Sequence, residues 1–250
     1  RVSFSRAAAR FFSAVLREFE MRSQRRRLVG FLIESARKLE ATPTVKYTSL
    51  SLFLDRFLPS LPRYAGKKYG NREHWLLRPP ARESNLELFA LVSLWISSKI
   101  HDSHPFVVKD LKHWGDERIS EQHFTIRDFI EAEVLFLEVL NYEIGVGNIA
   151  LSLLDELLLQ LKGVSKVGEL VNLEACMDIM DLVYEEETSS VLVASPLALA
   201  ASILAASFVI TVPQQTWEFP LLSWVKFATS CDEEHIARMT EHILKLVFEF

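Results

Sequence analysis

Two stretches of this 250-residue chain carry no charge over the length of a helix: Leu88 to Ser98, and Leu197 to Val212, "LALAASILAASFVITV". A helix with one polar side can lie on a surface, but a helix that is apolar all round must be enclosed by other elements or by lipid. Pro196 and Pro213 bracket the second stretch at sixteen residues. That is short of the roughly 20 a bilayer requires, and no basic cluster flanks it to set an orientation. Enclosure by protein is therefore expected twice, with other helices wrapped around each buried centre.

The rest of the chain can supply those wrappers. Apolar residues recur at three and four, glycine is scarce at eight residues, and 49% of the chain is apolar. Helices are expected near 24–40, 44–58, 105–114 and 120–141, then near 147–161, 169–185, 196–211, 218–228 and 232–249. Ser84 followed by Glu87 reads as a capping box that opens the first central helix. The expected organisation is all-α: an N-terminal extension over 1–22, a first helical domain over 23–143 and a second over 144–250. Segment 59–83 is long, basic and rich in proline, and it receives no role from the sequence.

Charge is distributed unevenly. Residues 1–27 hold eight arginines against Glu18 and Glu20, so the net −5 leaves −11 for the remainder. An acidic body lacks the clustered positive charge that phosphate recognition requires, so nucleic acid is not an expected partner. The arginine- and serine-rich start has the composition of an organelle transit peptide. It also reads as an amphipathic helix with Phe11, Phe12, Val15, Leu16 and Phe19 on one face, which is the preferred reading. Cys176 and Cys231 give no disulfide framework and fit a reducing compartment.

No enzyme signature stands out. "GVG" at 145–147 lacks the spacing of a dinucleotide fingerprint, and His101 and His104 have no cysteine nearby to complete a metal set. The expectation is no catalytic residue, no metal, no cofactor and no small-molecule substrate, with membrane association equally unsupported.

Three charged residues interrupt the apolar pattern of their own helices. Asp55 lies in "LSLFLDRFL", apolar almost all round, so it is expected to be desolvated and paired with a cation from the triplet Arg25, Arg26, Arg27. Glu133 has Phe129, Ile130, Phe136 and Leu137 three and four residues away, whereas Glu131 and Glu138 share a polar face with Arg127 and Asp128. Lys99 follows Trp95 and Ile96 by four and three residues. Alone, Lys99 is explained as a cation at a helix C-terminus. With Glu133 it makes two orienting charges on an apolar surface, the composition of a protein interface.

The segments "RRRLVGFLIE", "LSLFLDRFL", "LELFALVSLWISSKI" and "EAEVLFLEVLNYEI" resemble a cyclin box in order and spacing, and from about Arg25 onward the chain is similar to the plant J-type cyclins. That resemblance implies two tandem five-helix boxes, each built around a buried central helix and preceded by an N-terminal helix. It implies that Arg25 and Asp55 form a buried ion pair, that Leu88 is a core position, and that Lys99 and Glu133 bind a cyclin-dependent kinase. Ile96, Ile100, Leu137, Tyr142 and Ile144 would form the apolar surface that receives the kinase's regulatory helix. The implied function is a nuclear or cytoplasmic regulatory subunit of a cell-cycle kinase, itself without catalysis. The alternatives are a cyclin-fold scaffold, or a transcription-factor-like protein with a non-kinase partner.

The chain also departs from the family. The usual "MRAILVDW" becomes "QRRRLVGF", so an Asp-Trp pair is replaced by Gly30 and Phe31, and a methionine and an isoleucine of the substrate-docking patch become Gln24 and Arg27. Leu28, Glu34, Leu86 and Glu87 keep part of that patch. Docking of an Arg-x-Leu motif is therefore expected to be weak, because Arg27 repels the peptide arginine.

Overall fold

The computed structural model describes residues 23–66, 75–77, 82–145, 149–186, 195–213 and 219–248, among which there is no strand. The expected helix over Phe11 to Phe19 and the transit-peptide reading fall on residues 1–22, outside those described. Contacts divide the chain into two units, Arg1–Ile144 and Gly145–Phe250.

In the first unit, α1 covers 23–38. α2 (Pro43–Leu50) begins at Thr42, whose Oγ1 accepts the Val45 N–H at 3.4 Å, with Pro43 in the first turn, where its missing N–H has no role. α2 continues without a break through a π-helical stretch, Ser51–Phe57, into α3 (Leu58–Gly66). The sequence had this helix stopping at 58, ahead of Pro59 and Pro62. The return from the wide π turn to the α pattern makes Leu58 the start of a new first turn, where Pro59 is tolerated. A 3-10 turn (Trp75–Leu77), α4 (Glu83–His101), α5 (Val108–Arg118) and α6 (Ile126–Val139) complete the unit.

α4 is the enclosed centre, buried from Ser84 to Ser98 except at Glu87. α2, the π stretch, α5 and α6 pack around it. Phe57 stacks on Phe136 at 4.4 Å between ring centroids and lies tilted against Phe89 at 4.8 Å, which joins three elements through one side chain. Buried polar groups are paired across elements. Ser97 Oγ donates to the Val45 carbonyl at 2.8 Å, and Trp114 Nε1–H donates to Ser35 Oγ at 2.8 Å. Part of segment 59–83 belongs to this core, since Leu76 is fully buried and its carbonyl accepts from Asn85 Nδ2 at 3.0 Å.

Two expectations are corrected. α4 begins at Glu83, with Arg82 as its N-cap and no capping side chain, so Ser84 falls inside the first turn and packs inward with its Oγ unpaired. The capping box occurs at α6 instead, where Thr125 and Asp128 bond each other's backbone amides. Asp55 is exposed rather than buried. Leu52, Phe53, Leu54 and Phe57 of the π stretch take the core side, and Asp55 is left outside. Neighbouring protein still desolvates the carboxyl and raises its pKa, against a hydrogen bond from Ser51 and the attraction of Arg25.

The second unit contains α7 (Ala150–Val164), a 3-10 turn (Lys166–Leu170), α8 (Leu173–Glu185), α9 (Pro196–Thr211), α10 (Leu221–Thr229) and α11 (Glu233–Phe248). α9 is buried from Ala198 to Phe208, and α7, α8, α10 and α11 pack on it. Ser195 caps it, its Oγ accepting the Ala198 N–H at 3.2 Å. No helix among the described residues is long and apolar enough to cross a membrane. A Cβ at Gly168 would lie 2.6 Å from the Lys162 nitrogen, so only glycine lets the 3-10 turn rest on the end of α7.

Phe57 and Asp55 lie two residues apart and should respond oppositely to mutation. Phe57→Ala should cost about 3–5 kcal/mol by opening a cavity between three elements. Asp55→Asn should change stability by less than about 1 kcal/mol, as expected of an exposed group. Urea unfolding of both variants checks this, and a loss above about 3 kcal/mol for Asp55→Asn would restore the buried ion pair.

Candidate functional site

The last turn of α4 is held on three sides before its side chains emerge. Trp95 Nε1–H donates to the Phe106 carbonyl at 3.0 Å, the Phe106 N–H donates to Ser98 Oγ at 3.1 Å, and His101 Nε2 lies 3.0 Å from Thr48 Oγ1 of α2. Lys99 and Ile100 lie between Ser98 and His101 of this clamp and are the exposed pair at the end of α4.

Lys99 Nζ donates to Glu133 Oε1 at 2.5 Å and lies over the Trp95 ring, 3.5 Å from its centroid. Its side chain is 38% exposed and that of Glu133 is 20% exposed, so the pair spans the α4–α6 surface with its outer edge in water. The aromatic face and the carboxylate together fix the direction of the ammonium. A helix C-terminus alone would leave it free to rotate. The sequence reading of two charges on one apolar surface is thus matched by contact between them.

Apolar exposure surrounds the pair. Ile130 and Val134 on α6 are 49% and 47% exposed, flanking Glu133 by three residues and one, and Tyr142 is 63% exposed in the turn after α6. Ile130 and Val134 were missed as surface residues by the sequence reading, although their spacing with Leu137 (four and three residues) would have marked the same face. Leu137 and Ile144 are half-buried. Ile96 is buried, one turn deeper in the enclosed part of α4, so it supports Lys99 and Ile100 from beneath and offers no surface of its own.

A second region gathers the residues assigned to the substrate-docking patch. Leu28, Phe31 and Leu86 are buried in the core, which leaves Gln24, Arg27, Glu34 and Glu87 to form the surface. Arg27 is bound to Glu83 by two hydrogen bonds, Nε to Oε1 at 2.6 Å and Nη2 to Oε2 at 2.9 Å, and Arg118 holds Glu34 at 2.6 Å. The Arg27 charge is thereby matched, so the expected repulsion of a peptide arginine is largely cancelled by Glu83. What closes the patch is the absence of exposed apolar side chains. Burial raises the Glu87 pKa to about 7, with Glu83 and Glu121 adding repulsion that Arg118 and Arg27 only partly offset.

Among the described residues there is no cluster of metal-ligating side chains. His101 bonds Thr48 and His104 bonds Ser103, so the two histidines have separate partners. Cys176 is buried, and desolvation raises its thiol pKa.

Comparison with known proteins matches residues 9–145 to the cyclin N-terminal domain family. Cyclin-J18 of Arabidopsis thaliana is 54% identical over 220 residues, which cover 88% of this chain and 93% of that protein. Cyclin-J18-like of Oryza sativa subsp. japonica is 52% identical over 231 residues, covering 91% of this chain and 88% of that protein. Among solved structures, a viral cyclin from herpesvirus saimiri superposes with a TM-score of 0.65 at 18% identity, over 91% of this chain and 86% of the other. At that identity the likeness concerns the fold.

The Glu87 environment has a pH signature. Its pKa is raised by folding, so its contribution to stability is complete below the ordinary value of about 4.5 and is lost as pH rises through about 7. Glu87→Gln removes the charge, so it should flatten stability between pH 5 and 8 and stabilise the fold at pH 8 by about 1–3 kcal/mol. Urea midpoints measured across that range check the sign, and parallel profiles for parent and variant would contradict it.

Proposed function

The chain belongs to the cyclin family, and on that premise we propose that it is the regulatory subunit of a cyclin-dependent serine/threonine kinase, acting in cell-cycle control from the nucleus, the cytoplasm or both. The observation that carries the proposal is the Lys99–Glu133 pair at 2.5 Å across α4 and α6, with exposed Ile100, Ile130 and Val134 on the same two helices and exposed Tyr142 in the turn after α6. A pair of fixed charges gives orientation, and the apolar side chains give area to bury.

Activation on this reading is differential binding. A kinase whose regulatory helix can swing in or out is shifted toward the inward state by a surface that binds only that state. The inward helix completes the kinase's own Lys-Glu pair and frees its activation loop. The cyclin contributes no reacting group. The buried state of Leu28, Phe31 and Leu86 supports a further part of the proposal, that substrates are not recruited through an Arg-x-Leu groove on this surface.

Two measurements test these statements. In the isolated chain the exposed Lys99–Glu133 pair is worth about 0.2–1 kcal/mol, so the double alanine variant should unfold cooperatively near the parental temperature. Each single change should weaken the kinase complex by about 2–5 kcal/mol, leaving a desolvated partner group unpaired. A folded double variant that captures and activates kinase on histone as well as the parent does would leave only the scaffold reading. For the groove, calorimetry with an Arg-x-Leu peptide should give a Kd weaker than about 100 μM, and micromolar binding would show that buried residues reopen to form it.

A further inference from the structure

The turn after α6 holds more backbone strain than helix termination requires. α6 closes with the Asn141 N–H donating to the Glu138 carbonyl at 3.0 Å and the Tyr142 N–H donating to the Leu137 carbonyl at 2.7 Å, the two bonds of a Schellman motif. That motif needs one left-handed residue, and Asn141 at φ 51° supplies it at little strain. Tyr142 is left-handed as well, at φ 61°, a geometry that bulky residues rarely adopt. Strain of this kind persists only where surrounding contacts hold it, and it gathers at functional sites.

Within the turn the Glu143 N–H donates to the Leu140 carbonyl and the Ile144 N–H to the Tyr142 carbonyl, both at 3.0 Å, and further contacts come from the helix opposite. Arg56 Nη2–H donates to the Glu143 carbonyl, and Tyr64 Oη–H donates to Glu138 Oε2 at 3.0 Å. Arg56 belongs to the last turn of the π stretch Ser51–Phe57, itself an uncommon backbone form. Two unfavourable backbone segments therefore meet at one hydrogen bond. We propose that Arg56 is a positioning residue, which holds residues 140–144 in the form that presents Tyr142 and Ile144 to the partner, with Tyr64 as a second tie. The proposal rests on the kinase-binding reading above. It adds that the surface is set in the free chain, before any partner arrives, so that a bound partner need not order the turn.

The test reads the turn and the partner separately. Arg56→Met keeps the apolar stem and removes the donor; Arg56→Lys restores a cation. In Arg56→Met the Tyr142 amide, protected by Leu137, should exchange with solvent about three- to tenfold faster, and kinase should bind weaker by a similar factor, with Arg56→Lys recovering part of both. Adding Tyr142→Gly to Arg56→Met should restore protection of the amide at position 142, because glycine accepts the left-handed geometry without support. Unchanged exchange in Arg56→Met overturns the positioning role. Faster exchange with unchanged kinase affinity, in a protein where Lys99→Ala does weaken binding, overturns the claim that the turn is preset for the partner. Loss of effect in both Arg56→Met and Lys99→Ala instead overturns the kinase reading itself.

Discussion

Enclosure of α4 is the constraint on which the first unit depends. A helix buried from Ser84 to Ser98 at every residue but Glu87 leaves almost no side for solvent, so its neighbours must bring apolar faces to it. Phe57, Phe89 and Phe136 meet because the π stretch, α4 and α6 all converge on that centre. The same enclosure fixes where a charge can appear. Lys99 and Ile100 are exposed on a turn that Phe106 and Thr48 hold through Trp95, Ser98 and His101. A functional surface at the end of a central helix thus inherits its rigidity from the core at little further cost in order.

The two surfaces of this unit are built on different physics. Around Lys99 and Glu133 one ion pair stands among exposed apolar side chains, a combination that favours association. Around Arg27 the apolar side chains are buried, and two arginines are already engaged by Glu83 and Glu34. A ligand at the second surface would have to displace charge-assisted hydrogen bonds without an apolar area to gain in return. Of the two, the first surface is the one that offers exposed apolar area.

Likeness to the viral cyclin at 18% identity and a TM-score of 0.65 fits this account. Burial patterns can be met by many apolar residues, so the fold tolerates wide substitution provided the central helices remain enclosed. Individual surface residues have no such latitude, which is why function is argued from Lys99, Glu133 and their surroundings instead of from the fold.

The sequence by itself determined the helical class and the two enclosed centres, since each follows from local periodicity and from the absence of charge over a helix length, and it set Lys99 and Glu133 beside apolar surface without pairing them. The family resemblance implied Tyr142 and Ile144 as site residues, without the backbone geometry of the turn that carries them. Tertiary structure decided the rest. Asp55 faces solvent although its neighbours in "SLFLDRF" are apolar, because the contacts made by Leu52, Phe53, Leu54 and Phe57 set which side of the helix is enclosed. Ser84 lost its capping role because α4 starts at Glu83, two residues before the start a Ser84 cap implies, and Ile96 went to the core with the enclosed part of α4. Arg27 was read as a candidate partner of Asp55 and as a charge bordering the docking patch, and only the approach of α1 to the start of α4 gave it Glu83, fifty-six residues away. Periodicity reports which side of an element is apolar, whereas register, long-range pairing and left-handed backbone at Tyr142 are set by contacts between elements, and a linear pattern carries no record of those.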